Sequence, residues 1–267
     1  VAEKSKHKHL GWHRDLPDQR DYFYSAPLPK LKAMPAKIDL RKSCPPVYSQ
    51  GRIGSCTANA IAAAVQFDRH KAKQKPDFMP SRLFIYYNER VIEHSVQYDA
   101  GAQLRDGIKT VSKQGVCAET EWPYNDTPAP SENAPFPTDA PAGEKPPAAC
   151  YADAKKYTAK LYLRVQQTLM QMKGCLAEGY PFVFGFTVYN NWYSDPTTVM
   201  PLPAAHERPV GGHAVLAVGY DDTKQCFIFR NSWGTGYGAK GYFYMPYAYL
   251  TNPQLASDLW TIRGMSD

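Results

Sequence analysis

The chain has 267 residues, 43% hydrophobic and 21% charged, a globular balance that excludes wholesale disorder. Its net charge of +6 is split evenly between residues 1–34 and the rest, and no basic run lies beyond the first nine residues, which excludes a duplex-binding stripe. The longest near-apolar stretch, Tyr180 to Tyr189, is too short to span a bilayer, so no nucleic-acid partner and no membrane span are expected.

The length predicts one domain or two intimate lobes. The 23 Pro and 18 Gly predict a loop-rich fold, and the 19 Tyr, 11 Phe and 5 Trp supply its core. A start at Val1 reads as a chain whose secretion signal has been removed, so a secreted or periplasmic bacterial protein is expected. Six cysteines (44, 56, 117, 150, 175 and 226) fit that setting. If one is a working thiol, at most two bridges can form. The absence of any C-x-x-C excludes a zinc ribbon.

Residues 1–34 read as an extended arm, tied down by Trp12, Tyr22, Phe23 and Tyr24. His7, His9 and His13 lack a clear fourth ligand and read as a solvated basic tail, so no metal and no cofactor are expected. Residues 35–267 form the main domain: a helical lobe over roughly 45–126, a Pro-rich insert over 127–147 and a β-rich lobe over roughly 148–267. In the first lobe, Cys56 to Lys71 is predicted helical from its alanines and the spacing of Ile61, Val65 and Asp68. Ser81 caps a second helix to about Glu93, with Leu83, Tyr86, Tyr87 and Val91 on one face. Gln103 to Gln114 is a third helix, stopped by Gly115.

Seven prolines between Pro128 and Pro147 mark a surface loop or linker. Leu161 to Ala177 contains one more helix, ended by Gly179. Phe182–Tyr189, His213–Tyr220, Cys226–Asn231, Gly241–Tyr247 and Leu259–Arg263 are then short β-rich runs. Helices first and strands later predict segregated lobes, an α+β fold.

Three strings carry chemistry. Gln50-Gly51-Arg52-Ile53-Gly54-Ser55-Cys56 places a thiol where a glycine turn meets a helix start, whose partial positive charge stabilises a thiolate. A lone cysteine there is equally consistent with an inert buried thiol. Gly211-Gly212-His213 puts an imidazole at the mouth of an apolar strand, able to take a thiol proton or to be a satisfied core residue. In Arg230-Asn231-Ser232-Trp233-Gly234, the Asn231 amide oxygen can accept the imidazole N–H, with Trp233 covering that bond. Gly236-x-Gly238-x-x-Gly241 matches a dinucleotide fingerprint formally but leads into Tyr-Phe-Tyr rather than a helix.

Together these strings resemble the papain family of cysteine peptidases. Ile38-Asp39-Leu40-Arg41 resembles the start of its mature domain. Gly101-Ala102, Gly115-Val116 and Glu121-Trp122-Pro123-Tyr124 are similar to its later segments. Residues 11–22 with Cys44-Pro45-Pro46-Val47 resemble the bacterial branch that includes xylellain. The resemblance implies a papain-like two-lobed fold, with an antiparallel β-barrel-like C-terminal lobe and the active site in the cleft between the lobes. It implies catalytic Cys56, His213 and Asn231, with Cys56 and His213 resting as an ion pair. Gln50 and the Cys56 N–H would form the oxyanion hole, supported by Trp233, and backbone at Gly101, Ala102 and Gly212 would hold the substrate. The reaction implied is hydrolysis of a protein or peptide through a thioester, by a monomer.

Some features depart from the family pattern. Ile53 replaces a family cysteine, so Cys44 would need another bridge partner, and Thr57 replaces an aromatic. The Cys56–His213 separation exceeds the roughly 130–150 residues usual for the family, and the Pro-rich insert accounts for the excess. The long helical pro-segment is replaced by the short arm, read here either as an intramolecular inhibitor or as a stabilising strap. A catalytically silent papain-fold peptide binder is the alternative function; the intact Cys, His, Asn and Gln set argues against it. A transglutaminase-like enzyme is disfavoured by Gln50 and the Asn-Ser-Trp-Gly string.

Overall fold

The structure is a computed structural model that describes residues 10–131 and 133–266, apart from the side chain of Lys30. His7 and His9 lie outside the described residues. The arm carries β1 (Trp12–His13), β2 (Phe23–Tyr24) and α1 (Leu28–Lys32), and β3 (Lys37–Asp39) follows. The helical half holds α2 (Cys56–Lys71), α3 (Arg82–Ile92), β4 (Ala102–Gln103) and α4 (Leu104–Lys113). After the insert come α5 (Ala148–Ala154), β5 (Ala159–Val165), α6 (Leu169–Ala177), β6 (Phe182–Tyr189) and α7 (Asn190–Ser194). The chain ends with β7 (Pro209–Asp221), β8 (Cys226–Arg230), β9 (Tyr242–Pro246), α8 (Tyr247–Leu250) and β10 (Ala256–Met265).

Helix α2 is the shared wall of the molecule. It is buried from Cys56 to Arg69 and packs against α3 and α4 on one side and against β7 and β10 on the other. Its small alanines allow that close two-sided approach. The main sheet runs β2-β5-β10-β6-β7-β8-β9, with β3 added to β7; all its pairs are antiparallel except β2 with β5. The strand path is open, and among the described residues β2 and β9 do not pair, so the barrel-like curl is not a closed barrel. Two apolar clusters result. One joins the helices to Val183, Ala214, Trp260 and Ile262; the other is the aromatic interior of the sheet around Phe184, Phe186, Trp192 and Phe229.

Two expectations are corrected and one strand is added. On α3, Val91 is 42% exposed and Tyr87 only half-buried, while Phe84 and Arg90 are buried beside Leu83 and Tyr86. Arg90 can turn inward because its guanidinium stacks on the Tyr86 ring at 3.8 Å and donates to the carbonyls of Val96, Tyr98 and Ala142. The helix expected within Leu161–Ala177 is there, α6 from Leu169 with Thr168 as its cap; the strand ahead of it was not expected. The residues before α6 form β5, because pairing with β10 outweighs local preference. The Pro-rich segment is no free linker: Phe136, Ala140 and Ala142 are buried, and Phe136 N–H donates to the Gln97 carbonyl at 2.8 Å.

Candidate active site

The turn into α2 positions the sulfur. Gly51 has φ +60, a left-handed conformation that favours glycine. The Gly54 N–H donates to Asp99 Oδ1 at 2.9 Å, and the Arg52 N–H donates to Asp126 Oδ2 at 3.1 Å, so carboxylates from two other loops pin the turn. Cys56 is the first residue of α2, and the Ser55 side chain does not cap the helix. The Ser55 hydroxyl is engaged instead by Tyr124 at 2.6 Å and by Asn59 Nδ2 at 3.0 Å. The N-terminal field of the helix is therefore directed at Cys56 without a competing cap.

Gln50 ties this turn to the sheet. Its N–H donates to the Ser232 carbonyl at 2.8 Å, and its Oε1 accepts from Ser232 Oγ at 2.7 Å. Its Nε2 donates to the Ile53 carbonyl at 3.1 Å.

Across the cleft, β6 and β7 pair with Phe186 opposite His213 and Gly185 opposite Ala214. His213 Nε2 lies 2.7 Å from Asn231 Oδ1, which also accepts the Ser232 N–H at 2.8 Å. An oxygen that accepts from a backbone amide must accept from the ring as well, so Nε2 carries the proton. The neutral ring then presents a lone pair at Nδ1, which is buried and has no hydrogen-bond partner. Trp233 stacks on the imidazole at 4.9 Å with planes 24° apart, and Phe186 meets it edge-on. This aromatic box keeps water from the His213–Asn231 bond. The Ala214 N–H, next along β7, points at the Cys56 sulfur.

The arm runs through this cleft. Gly11 O accepts the Ala102 N–H at 2.7 Å, and β1 pairs with β4 in parallel. The Gly11 N–H also points at the Cys56 sulfur. Glycines make the room: a Cβ on Gly185 would sit 1.8 Å from the Trp12 indole, and one on Gly212 would sit 2.2 Å from the Trp12 carbonyl. Cys56 and His213 are consequently inaccessible to solvent.

Burial pushes the Cys56 thiol up to about 12, against the Ala214 and Gly11 amides, which favour the thiolate. Burial also pushes His213 down to about 4, against its bond to Asn231. With the arm seated, both groups are held neutral rather than as the expected ion pair, because water that would solvate the charges is excluded.

A buried charge cluster fastens the arm beside the cleft. Trp260 Nε1 and the Arg105 N–H donate to Asp15 at 2.8 and 3.1 Å, and the Asp15 N–H donates to Asp258 Oδ2 at 2.8 Å. Asp21 takes Arg105 at 2.5 Å and Arg164 at 3.0 Å, and Arg164 also reaches Asp258 at 3.0 Å. Burial, reinforced by the Asp258 charge, pushes Asp15 up to about 7.

Gln50, Cys56, Gly101, Ala102, Gly212, His213, Asn231 and Trp233 all come to one cleft. Of the expected arm anchors, Trp12 and Tyr24 are buried, but Tyr22 and Phe23 are 79% and 58% exposed. Arg105, Arg164, Asp258 and Asp99 were not singled out by the sequence; they belong to no local string, and each acquires its role only through a partner far away in the chain. Asp15 and Ser232 lie within strings already noted, but what they hold depends on Asp258, Arg105 and Gln50.

A model of the papain family cysteine proteases matches residues 34–259. The chain belongs to this family. It is similar to xylellain, a cysteine protease from Xylella fastidiosa, with 52% identity, 98% of each chain covered and a TM-score of 0.93. An uncharacterised peptidase C1-like protein of Acanthamoeba polyphaga mimivirus is 39% identical over 97% of this chain and 88% of its own length. Pro-cathepsin H of Bos taurus is 25% identical over 78% of this chain and 59% of its own. The proCathepsin B of Trypanosoma congolense shares the fold at a TM-score of 0.75 with 15% identity. The family membership makes this chain a peptidase, and the papain-like fold places its cleft where the residues above converge.

Proposed function

We propose that the chain hydrolyses peptide bonds through a Cys56 thioester, with His213 as acid and base and Asn231 orienting the ring. The observation that carries this reading is His213: Asn231 holds the proton on Nε2 and leaves a buried Nδ1 lone pair without a hydrogen-bond partner, one residue before the Ala214 N–H that points at the Cys56 sulfur. The thiol proton passes to the imidazole, and the thiolate attacks the substrate carbonyl. The Cys56 N–H and the Gln50 amide hold the oxyanion, Gln50 exchanging its Ile53 contact for the new charge. The imidazolium protonates the leaving amine, and the neutral ring then activates water against the thioester. No step needs a metal or cofactor.

Residues 10–24 are proposed as an intramolecular inhibitor. Gly11 and Trp12 occupy the strip between Ala102 and Gly212 where a substrate backbone would lie. Export and a monomeric state remain part of the proposal, on the cysteine content and on the self-contained cleft.

The test uses chain freed of residues 1–34 and a fluorogenic peptide. Cys56→Ala should abolish turnover, and Gln50→Ala should reduce kcat by about 10²–10³. An epoxysuccinyl inhibitor should label Cys56 alone among the six cysteines. Turnover that survives Cys56→Ala overturns the mechanism. A Cys56 that stays unlabelled once the arm is removed supports the silent peptide binder instead.

A further inference from the structure

All six cysteines are thiols here. Cys44, Cys175 and Cys226 direct their sulfurs at the carbonyls of Leu40, Tyr180 and Lys224, and Cys56 faces the cleft. Cys117 and Cys150 differ. Both are buried, their side chains hydrogen-bond to each other, and their sulfurs lie within 4.8 Å of one another and of the Glu121 carboxylate. Neither has a part in the peptidase mechanism.

Their backbones are anchored from both sides. The Cys117 carbonyl accepts the Ser81 N–H at 2.9 Å, and the Val116 N–H donates to the Tyr157 carbonyl at 3.1 Å. Cys150 lies in α5, its N–H donating to the Pro147 carbonyl at 3.0 Å and its sulfur directed at the Glu121 carbonyl at 3.6 Å. These anchors hold the two thiols within hydrogen-bonding reach of each other. The chain between them carries Tyr124 and Asp126, which hold the Gln50–Gly54 turn, and then the whole Pro-rich insert.

We propose that Cys117 and Cys150 are a disulfide-forming pair that staples the insert, and the loop bracing the oxyanion turn, to the helical half. The oxidant is a low-molecular-weight disulfide. The Cys150 thiolate attacks one of its sulfurs, breaking that S–S bond and releasing one thiol. The Cys117 thiolate then displaces the second thiol and forms the Cys117–Cys150 bond. The two cysteines lose two protons and two electrons, and the reagent becomes two thiols. Burial raises both thiols, so exchange is slow in the packed protein and the bond forms as the insert closes during folding. A metal suits the pair less well: Glu121 shares a hydrogen bond with Asp153, which Lys156 holds at 2.6 Å.

The full chain is refolded with and without oxidised and reduced glutathione, then denatured, titrated for thiols and mapped by mass spectrometry. Loss of two of the six thiols, with the peptides of Cys117 and Cys150 joined, is expected. The bond closes a loop of about 30 residues, so the oxidised form should melt roughly 5–10 °C above the reduced form. Cys150→Ser should keep the lower melting temperature with or without oxidant. Six surviving thiols, a link between other cysteines, or an unchanged melting temperature overturns the proposal. So does protection of Cys117 and Cys150 from alkylation by zinc ions in the absence of oxidant.

Discussion

The arm and the Pro-rich insert look alike on paper, both polar, proline-containing and poor in regular structure, yet the fold uses them in opposite ways. The insert is held by apolar packing and by the buried Arg90 of α3, which donates to the Ala142 carbonyl and stacks on Phe136 while also donating to the Val96 and Tyr98 carbonyls of the preceding loop. The arm crosses the cleft and is held by carboxylates: Asp15 and Asp21 set against Arg105, Arg164 and Asp258. Apolar packing is nearly indifferent to pH, whereas a buried carboxylate cluster is not. The insert is built to stay, and the arm is built with a titratable fastening.

Removal tests that contrast most sharply. Deleting residues 1–24 should raise kcat/KM on a fluorogenic peptide by about a hundredfold or more, since Gly11 and Trp12 otherwise fill the cleft. Shortening residues 129–133 of the insert should leave the rate within about twofold. Equal rates for the full chain and the arm deletion would make the arm a strap.

Titration comes next in size. Asp15 is raised by docking from its ordinary carboxylate value to about 7. Docking is therefore favoured in full below pH ~4, where Asp15 is protonated free or bound, and this contribution is lost as pH rises through about 7. The inhibition constant of a peptide spanning residues 10–26, added to the arm-deleted enzyme, should weaken roughly tenfold to a hundredfold across that window. Asp15→Asn in the peptide should flatten the profile. An unchanged profile would remove Asp15 from the fastening.

Steric crowding should act more mildly. Gly185→Val places methyls against the Trp12 indole, so in the full chain it should loosen the arm and raise the basal rate a few-fold, read by initial rates. For the insert, Arg90→Ala strands the carbonyls of Val96, Tyr98 and Ala142, at a cost of about 3 kcal/mol. The melting temperature should fall by roughly 5–10 °C with the arm's inhibition constant unchanged. A shift in that constant would show that the two segments are coupled after all.

Much of the site was legible because its chemistry is written in short strings. Cys56 at a helix start, His213 behind two glycines and Asn231 before Ser-Trp each announce a local conformation, and α2 and β6 begin and end where their patterns predict. The inward turn of Arg90 was not legible, since a charged side chain goes inside only where distant carbonyls await it. Nor was strand β5, whose Leu161–Val165 run has no strong preference until β10 lies beside it.

By itself, then, the sequence determined the family, the helices α2, α3 and α4, the later strands β6 to β10 and the identity of the reactive groups, because these depend on neighbours along the chain. Only the tertiary structure decided that Gly11 and Trp12 lie over the thiol and that Asp15 is desolvated. It alone brought Cys117 to Cys150. Each of these depends on residues far apart in the chain meeting across a packed interior, where burial and not residue type sets the charge state.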